Sequence, residues 1–221
     1  MDEELKKSIL KTGTTILGIV CKDGVVMASD RQVSLGHSVV GKKNFVKTRQ
    51  LNDYILMSIA GQASDGQRLW KVIPAELKLK ELRSKSRPSV KQAANLLASI
   101  SFSNIRQPSM IPSIVGSLLG GFNEDGSVEL YTIGIDGSID IVDDYDASVG
   151  SGMQYVYGLL ERQYKKDLTI KEAIELAQEA LKSSTQRDVG SGYGIDVFTI
   201  TKEGIKKEVE QTIEPGYKDD K

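Results

Sequence analysis

The chain has one cysteine, one histidine and no surplus of either charge, and each shortage removes a class of function. Cys21 has no partner for an internal disulfide, which fits a reducing compartment. It lies in the apolar run Ile16 to Cys21 with no histidine nearby in sequence, so it reads as a packed thiol. His37 is read as a loop residue, and alone it leaves no material for a histidine-dependent triad or a multi-histidine metal site. Lys and Arg total 29 against 30 for Asp and Glu, so there is no positive excess to neutralise a nucleic-acid backbone. No stretch is long and apolar enough to read as a membrane span. Residues 1–12 carry Asp2, Glu3, Glu4, Lys6, Lys7 and Lys11 without an apolar core, so they do not read as a secretory signal.

What is present is ordinary globular material: 221 residues, 39% hydrophobic and 27% charged, enough for one domain and cramped for two. Thr14 to Lys22 and Val25 to Asp30 are rich in Val, Ile and Thr and flank Asp23-Gly24, which predicts an opening hairpin. Phe45 to Arg49 and Tyr54 to Ala60 predict a second. From Ser64 the pattern turns helical, with Ser64 or Asp65 as the expected cap and a kink expected near Pro74. A second helix is expected from Pro88 to about Arg106. Strands follow over 110–122, 128–133 and 138–142, then a helix after Gly152 and another opened by the capping box Thr169 to Glu172. Ile195 to Thr201 and Ile205 to Glu210 form a closing hairpin. Such an order of strand and helix blocks is compatible with two packed sheets flanked by helices.

Gly13-Thr14-Thr15 marks an abrupt change from the polar leader to a strand-like run. Cleavage of the Gly13–Thr14 bond would place a hydroxyl nucleophile and a free α-amine on one residue. Asp30 and Lys43 are read as a charge pair able to set proton affinities beside Thr14. Ser151 in Gly150-Ser151-Gly152, and Asp188 and Ser191 in Gln186 to Gly192, add hydroxyls and a carboxylate. Gly61 ends a strand with a candidate oxyanion amide.

These segments occur in one order. Gly13-Thr14-Thr15, Ala28-Ser29-Asp30-Arg31, Gly41-Lys42-Lys43, Ile59-Ala60-Gly61, Gly150-Ser151-Gly152 with Tyr155 to Glu161, and Gln186-Arg187-Asp188 through Val197 resemble a proteasome β subunit of archaeal type, over about residues 12–210. The resemblance implies an α+β, four-layer αββα sandwich of the N-terminal-nucleophile hydrolase kind. Residues 1–13 would be a self-removed propeptide, 14–212 the peptidase domain and 213–221 a polar tail. Thr14 would be the nucleophile, its α-amine the proton acceptor through a water, and Lys43, paired with Asp30, the tuning ammonium. Ser151, Asp188 and Ser191 would hold the amine and water, and the Gly61 N–H the oxyanion.

Val33, Phe45, Ile59 and Ala63 would line an apolar first specificity pocket, with Ser34 and Ala63 giving strand-like backbone contacts to substrate. Packing of those four in the core is the plainer alternative. The implied partners are other β subunits in a seven-membered ring, α-subunit rings, an ATP-driven unfoldase and unfolded polypeptides, in the cytoplasm and with no cofactor. Two alternatives stay open at this point. Ile16 stands where the family commonly has a threonine, which leaves room for a structural or conditionally processed β subunit. Gln32 to Gly36 also resembles the bacterial threonine protease of the HslV type.

Overall fold

The computed structural model describes residues 13–35 and 39–214. Residues 1–12, His37 and the tail from Pro215 lie outside the described residues, and with them the expectations for the leader, the histidine loop and most of the tail.

The chain opens with β1 (Ile16–Cys21) and β2 (Gly24–Asp30), paired antiparallel with Cys21 opposite Gly24. The tight turn is therefore Lys22-Asp23, one residue earlier than expected. Gly24 is needed for a different reason: a Cβ there would lie 2.2 Å from the Ile200 carbonyl of the neighbouring strand. β3 (Val33–Leu35) and β4 (Val39–Lys42) form a separate two-stranded hairpin that sequence reading missed. β5 (Thr48–Asn52) and β6 (Ile55–Gly61) form the second expected hairpin.

Helix α1 (Ala63–Ser84) is capped by the Gln62 backbone without a side-chain hydrogen bond, so neither Ser64 nor Asp65 caps it. It runs unbroken through Pro74. Burial of Leu69, Trp70, Ile73 and Leu77 on one face holds the helix across the lost backbone donor. Helix α2 (Val90–Arg106) starts after Ser89, which forms a capping box with Gln92; Pro88 precedes the cap instead of opening the helix. Then follow β7 (Val115–Phe122), β8 (Val128–Ile133), β9 (Ile139–Ile141) and β10 (Tyr145–Asp146), the last not foreseen. β7 starts five residues later than the apolar run from Met110, since Met110 and Ile111 are exposed. Helices α3 (Met153–Gln163) and α4 (Ile170–Thr185) come next, α4 with the expected Thr169/Glu172 box. β11 (Gly194–Thr201) and β12 (Gly204–Thr212) close the chain as described.

Two five-stranded antiparallel sheets result, in the orders β10-β1-β2-β11-β12 and β5-β6-β7-β8-β9. Strand periodicity sorts their side chains into three cores. In β2, Val25 and Met27 face Leu56, Leu118 and Leu130 between the sheets. Val26 and Ala28, one residue out of phase, pack with Val156, Leu160, Ala177 and Leu181 of α3 and α4. In β6, Ile55, Met57 and Ile59 turn outward to Trp70, Ile73 and Leu97 of α1 and α2. This is the expected four-layer αββα sandwich. Each fully buried Leu or Ile adds about 1.5–3 kcal/mol of transfer free energy, so the layers are set by three apolar seams.

Candidate active site

Thr14 sits immediately before β1, where Thr15 bridges to Gly150. Its backbone is held on both sides: the N–H donates to Ser151 Oγ at 3.1 Å, and the carbonyl accepts from the Gly152 N–H at 3.2 Å. The Thr14 hydroxyl is buried, donates to the Gly13 carbonyl at 2.5 Å and accepts from Lys47 Nζ at 3.0 Å.

Asp30, at the end of β2, is fully buried and accepts four hydrogen bonds. Oδ1 receives the Thr15 N–H at 2.8 Å and Lys47 Nζ at 2.5 Å. Oδ2 receives the Gln32 N–H at 2.9 Å and the Gly192 N–H at 3.0 Å. A carboxylate so surrounded leaves little lone-pair capacity unused, which is what allows a charge at this depth. Burial pushes the Asp30 carboxyl up and the Lys47 ammonium down, each shift opposed by the other's charge.

The lysine of the site is thus Lys47, and the expected pairing of Lys43 with Asp30 is corrected. Lys43 is exposed just beyond the β3–β4 hairpin, and its ammonium lies over the Tyr193 ring, 5.1 Å from the centroid. The signal that favours Lys47 lies in the strand expected over Phe45 to Arg49. Two residues from Phe45, Lys47 shares its inward face, and a lysine pointing inward requires a buried acid.

The segment after α4 completes the cluster. Asp188 Oδ2 accepts from Ser151 Oγ at 2.6 Å and Ser191 Oγ at 2.5 Å, and Oδ1 accepts from the Gly190 N–H at 3.1 Å. Ser191 Oγ also lies 2.7 Å from Thr15 Oγ1. Sequence reading missed Gln32 as a support. Its amide donates to the Val189 carbonyl at 2.7 Å and to Ser34 Oγ at 3.0 Å, and Ser34 Oγ reaches the Gly190 carbonyl at 3.4 Å. Behind it, buried Arg31 ties Asp196 and Glu210 of the closing hairpin to Asn44.

The structure therefore joins Gly13, Thr14, Asp30, Ser151, Asp188 and Ser191, with Lys47, in one hydrogen-bonded cluster. Gly61 ends β6 with φ +123°, and a Cβ there would lie 2.2 Å from the Ile114 carbonyl, so only glycine fits. Val33, Phe45, Ile59 and Ala63 pack in one apolar cluster with Trp70, whose ring stacks on Phe45 at 6.1 Å. Among the described residues, no group of three His, Cys, Asp or Glu side chains is arranged to hold a metal ion. No helix among the described residues is long and apolar enough to cross a membrane.

A four-layer sandwich with a threonine at the head of its first strand, set against a buried Lys–Asp pair, is the arrangement expected of an N-terminal-nucleophile fold. The family described as Proteasome subunit matches residues 10–200, and the chain belongs to that family. It is 42% identical over 194 residues to the proteasome subunit beta of Nanoarchaeum equitans, covering 88% of this chain and 96% of the relative. It is 40% identical over 195 residues to proteasome subunit beta 2 of Pyrococcus abyssi, covering 88% and 90%. With the proteasome subunit beta of Methanopyrus kandleri it shares 37% identity over 206 residues, covering 93% and 95%.

Proposed function

We propose that this β subunit is a threonine-type endopeptidase that releases its own residues 1–13 and then cleaves unfolded polypeptides. The observation that carries this reading is the buried Lys47 ammonium, shared between Asp30 and the hydroxyl of Thr14. A hydroxyl is a weak nucleophile until a group beside it takes its proton. Before cleavage Thr14 N is an amide and cannot serve. Lys47 is the titratable group bonded to the hydroxyl, and burial favours its neutral form. From the neutral-amine form of Lys47, Oγ1 attacks the Gly13 carbonyl carbon and its proton passes to the Lys47 nitrogen, making it an ammonium. The C–N bond breaks as the departing nitrogen takes a proton, leaving an ester on Oγ1 and a free amine. Water hydrolyses the ester, giving a Gly13 carboxylate and restoring the Thr14 hydroxyl.

In the mature chain the new amine lies where Thr14 N now donates to Ser151 Oγ, within the Ser151, Asp188 and Ser191 network. It serves as base, through a water, for attack on a substrate carbonyl and for hydrolysis of the acyl-enzyme on Thr14. Gly61 N–H stabilises the oxyanion. Substrate adds as a strand along β3 near Ser34 and beside Ala63, with an apolar side chain against Val33, Phe45, Ile59 and Ala63. The setting is a seven-membered β ring between α-subunit rings in the cytoplasm, fed by an ATP-driven unfoldase.

Intact mass and N-terminal sequencing of the subunit from assembled particles, beside Thr14→Ala, test the reading. Loss of residues 1–13 in the parent but not in the variant supports it. Retention in the parent instead makes the chain a structural or conditionally processed subunit.

A further inference from the structure

The uncleaved chain contains a backbone contact at Gly13 that cannot survive cleavage. Gly13 and Gly190 are both buried, and their backbones touch with no side chain between them. A Cβ on Gly13 would lie 2.0 Å from Gly190 Cα; one on Gly190 would lie 2.3 Å from Gly13 Cα and 2.8 Å from Ser151 Oγ. The first two distances are more than 1 Å short of ordinary contact, and both involve backbone that cannot rotate away. The Ser151 hydroxyl is the far end of a short side chain and can turn.

Gly190 is itself fixed. Its N–H donates to Asp188 Oδ1 at 3.1 Å, and its carbonyl accepts from Ser34 Oγ at 3.4 Å. The preceding Val189 carbonyl accepts from Gln32 at 2.7 Å. Gly13, lying on this anchored surface, presents its carbonyl oxygen 2.5 Å from Thr14 Oγ1.

We propose that Gly190 is a positioning residue for self-cleavage: its bare Cα is the seat that holds the Gly13 carbonyl against Thr14 Oγ1. The inference rests on the self-cleaving reading and deepens it. Peptide turnover depends on the seat far less, because Gly13 has left the mature chain. Adding a methyl at Gly190 moves the scissile carbonyl by about 1 Å, a misplacement that costs about a hundredfold in rate.

The test compares the parent with Gly190→Ala, Gly13→Ala, Thr14→Ala and Gly158→Ala in full-length chains in assembled particles. Gly158→Ala is a methyl control, since a Cβ there meets nothing within 4 Å. Intact mass followed over time gives the rate of leader loss. Hydrolysis of a fluorogenic peptide with an apolar residue before the cleaved bond, divided by the number of cleaved chains, gives turnover.

Gly190→Ala should slow leader loss about a hundredfold while turnover per cleaved chain falls by less than about tenfold. Gly13→Ala should slow leader loss to a like degree, and Gly158→Ala should match the parent. Leader loss at the parental rate in Gly190→Ala, or an equal fall in both quantities, overturns the proposal. Should Gly190→Ala not assemble, Gly13→Ala decides, with parental cleavage overturning the seat. Retention of the leader by the parent itself overturns both this proposal and the reading beneath it.

Discussion

Lys47 Nζ lies 3.0 Å from Thr14 Oγ1 and 2.5 Å from Asp30 Oδ1, so one buried ammonium bridges the hydroxyl and the carboxylate. Thr14 stands before β1, Asp30 ends β2 and Lys47 precedes β5, which places the lysine on the second sheet's side of the seam. The Thr14 hydroxyl is thereby tied to how the two sheets pack.

Replacing Lys47 with Met should abolish leader loss and lower peptide turnover by about 10²–10⁴-fold, the usual range for a positioned proton-transfer group. Lys43→Met should leave both within about threefold, because an exposed contact to an aromatic ring contributes only about 0.5–1 kcal/mol. Reversal of the two results would restore Lys43 as the catalytic lysine.

The proton affinity of Lys47 is lowered from the ordinary 10.5, chiefly by burial. A lowered affinity populates the neutral amine at lower pH than for a free lysine. The rate of leader loss should therefore rise with pH and level off below 10.5. A rate still climbing through that pH would show that Lys47 is not the proton acceptor.

Asp30→Asn keeps the size of the side chain but strips the buried ammonium of its counter-charge. Leaving one member of a buried ion pair alone costs about 3–5 kcal/mol, and denaturant unfolding of the variant should show a loss of that order. A loss below about 1 kcal/mol would mean that water or another acid reaches Lys47.

Cys21 is buried, and burial together with the charge of Asp23 raises its thiol to about 12. With so little thiolate at neutral pH, native protein should resist alkylation at pH 8 and react fully once unfolded. Rapid modification of the native chain would contradict this burial.

Pro74→Ala restores a donor inside α1 and removes the clash of the ring with the preceding turn. A gain of about 1–3 kcal/mol is expected, read as a higher unfolding midpoint with unchanged turnover. Loss of stability would show that the ring's own packing outweighs the missing hydrogen bond.

The layers were legible in the sequence because the short, continuously apolar runs of β2 and β6, buried on both faces, contrast with the spaced apolar residues of α1, α2 and α4. Thr14, Asp30, Ser151, Asp188 and Ser191 stood out because short polar residues interrupt those patterns at strand ends and glycine-rich turns. Lys43 follows the Gly41-Lys42 pair in sequence, but burial decides the lysine, and it is Lys47 that points inward to Asp30 and Thr14. The β3–β4 hairpin escaped notice because Leu35, Val39 and Val40 are exposed and leave no core-facing alternation. Gln32 and Gly190 matter through backbone contacts between segments far apart in sequence, and local pattern carries no trace of those.

The four donors to Asp30 come from residues 15, 32, 47 and 192, so its shell is complete only when nearly the whole chain has been made and folded. The last to arrive is the Gly192 amide, beside the segment that carries Asp188 and Gly190. A nascent chain halted before that point has Thr14, Lys47 and residues 1–13 but an incomplete shell around Asp30. On the proposed self-cleaving reading, the order of the segments along the chain acts as a clock that delays the Thr14 hydroxyl until the molecule is whole.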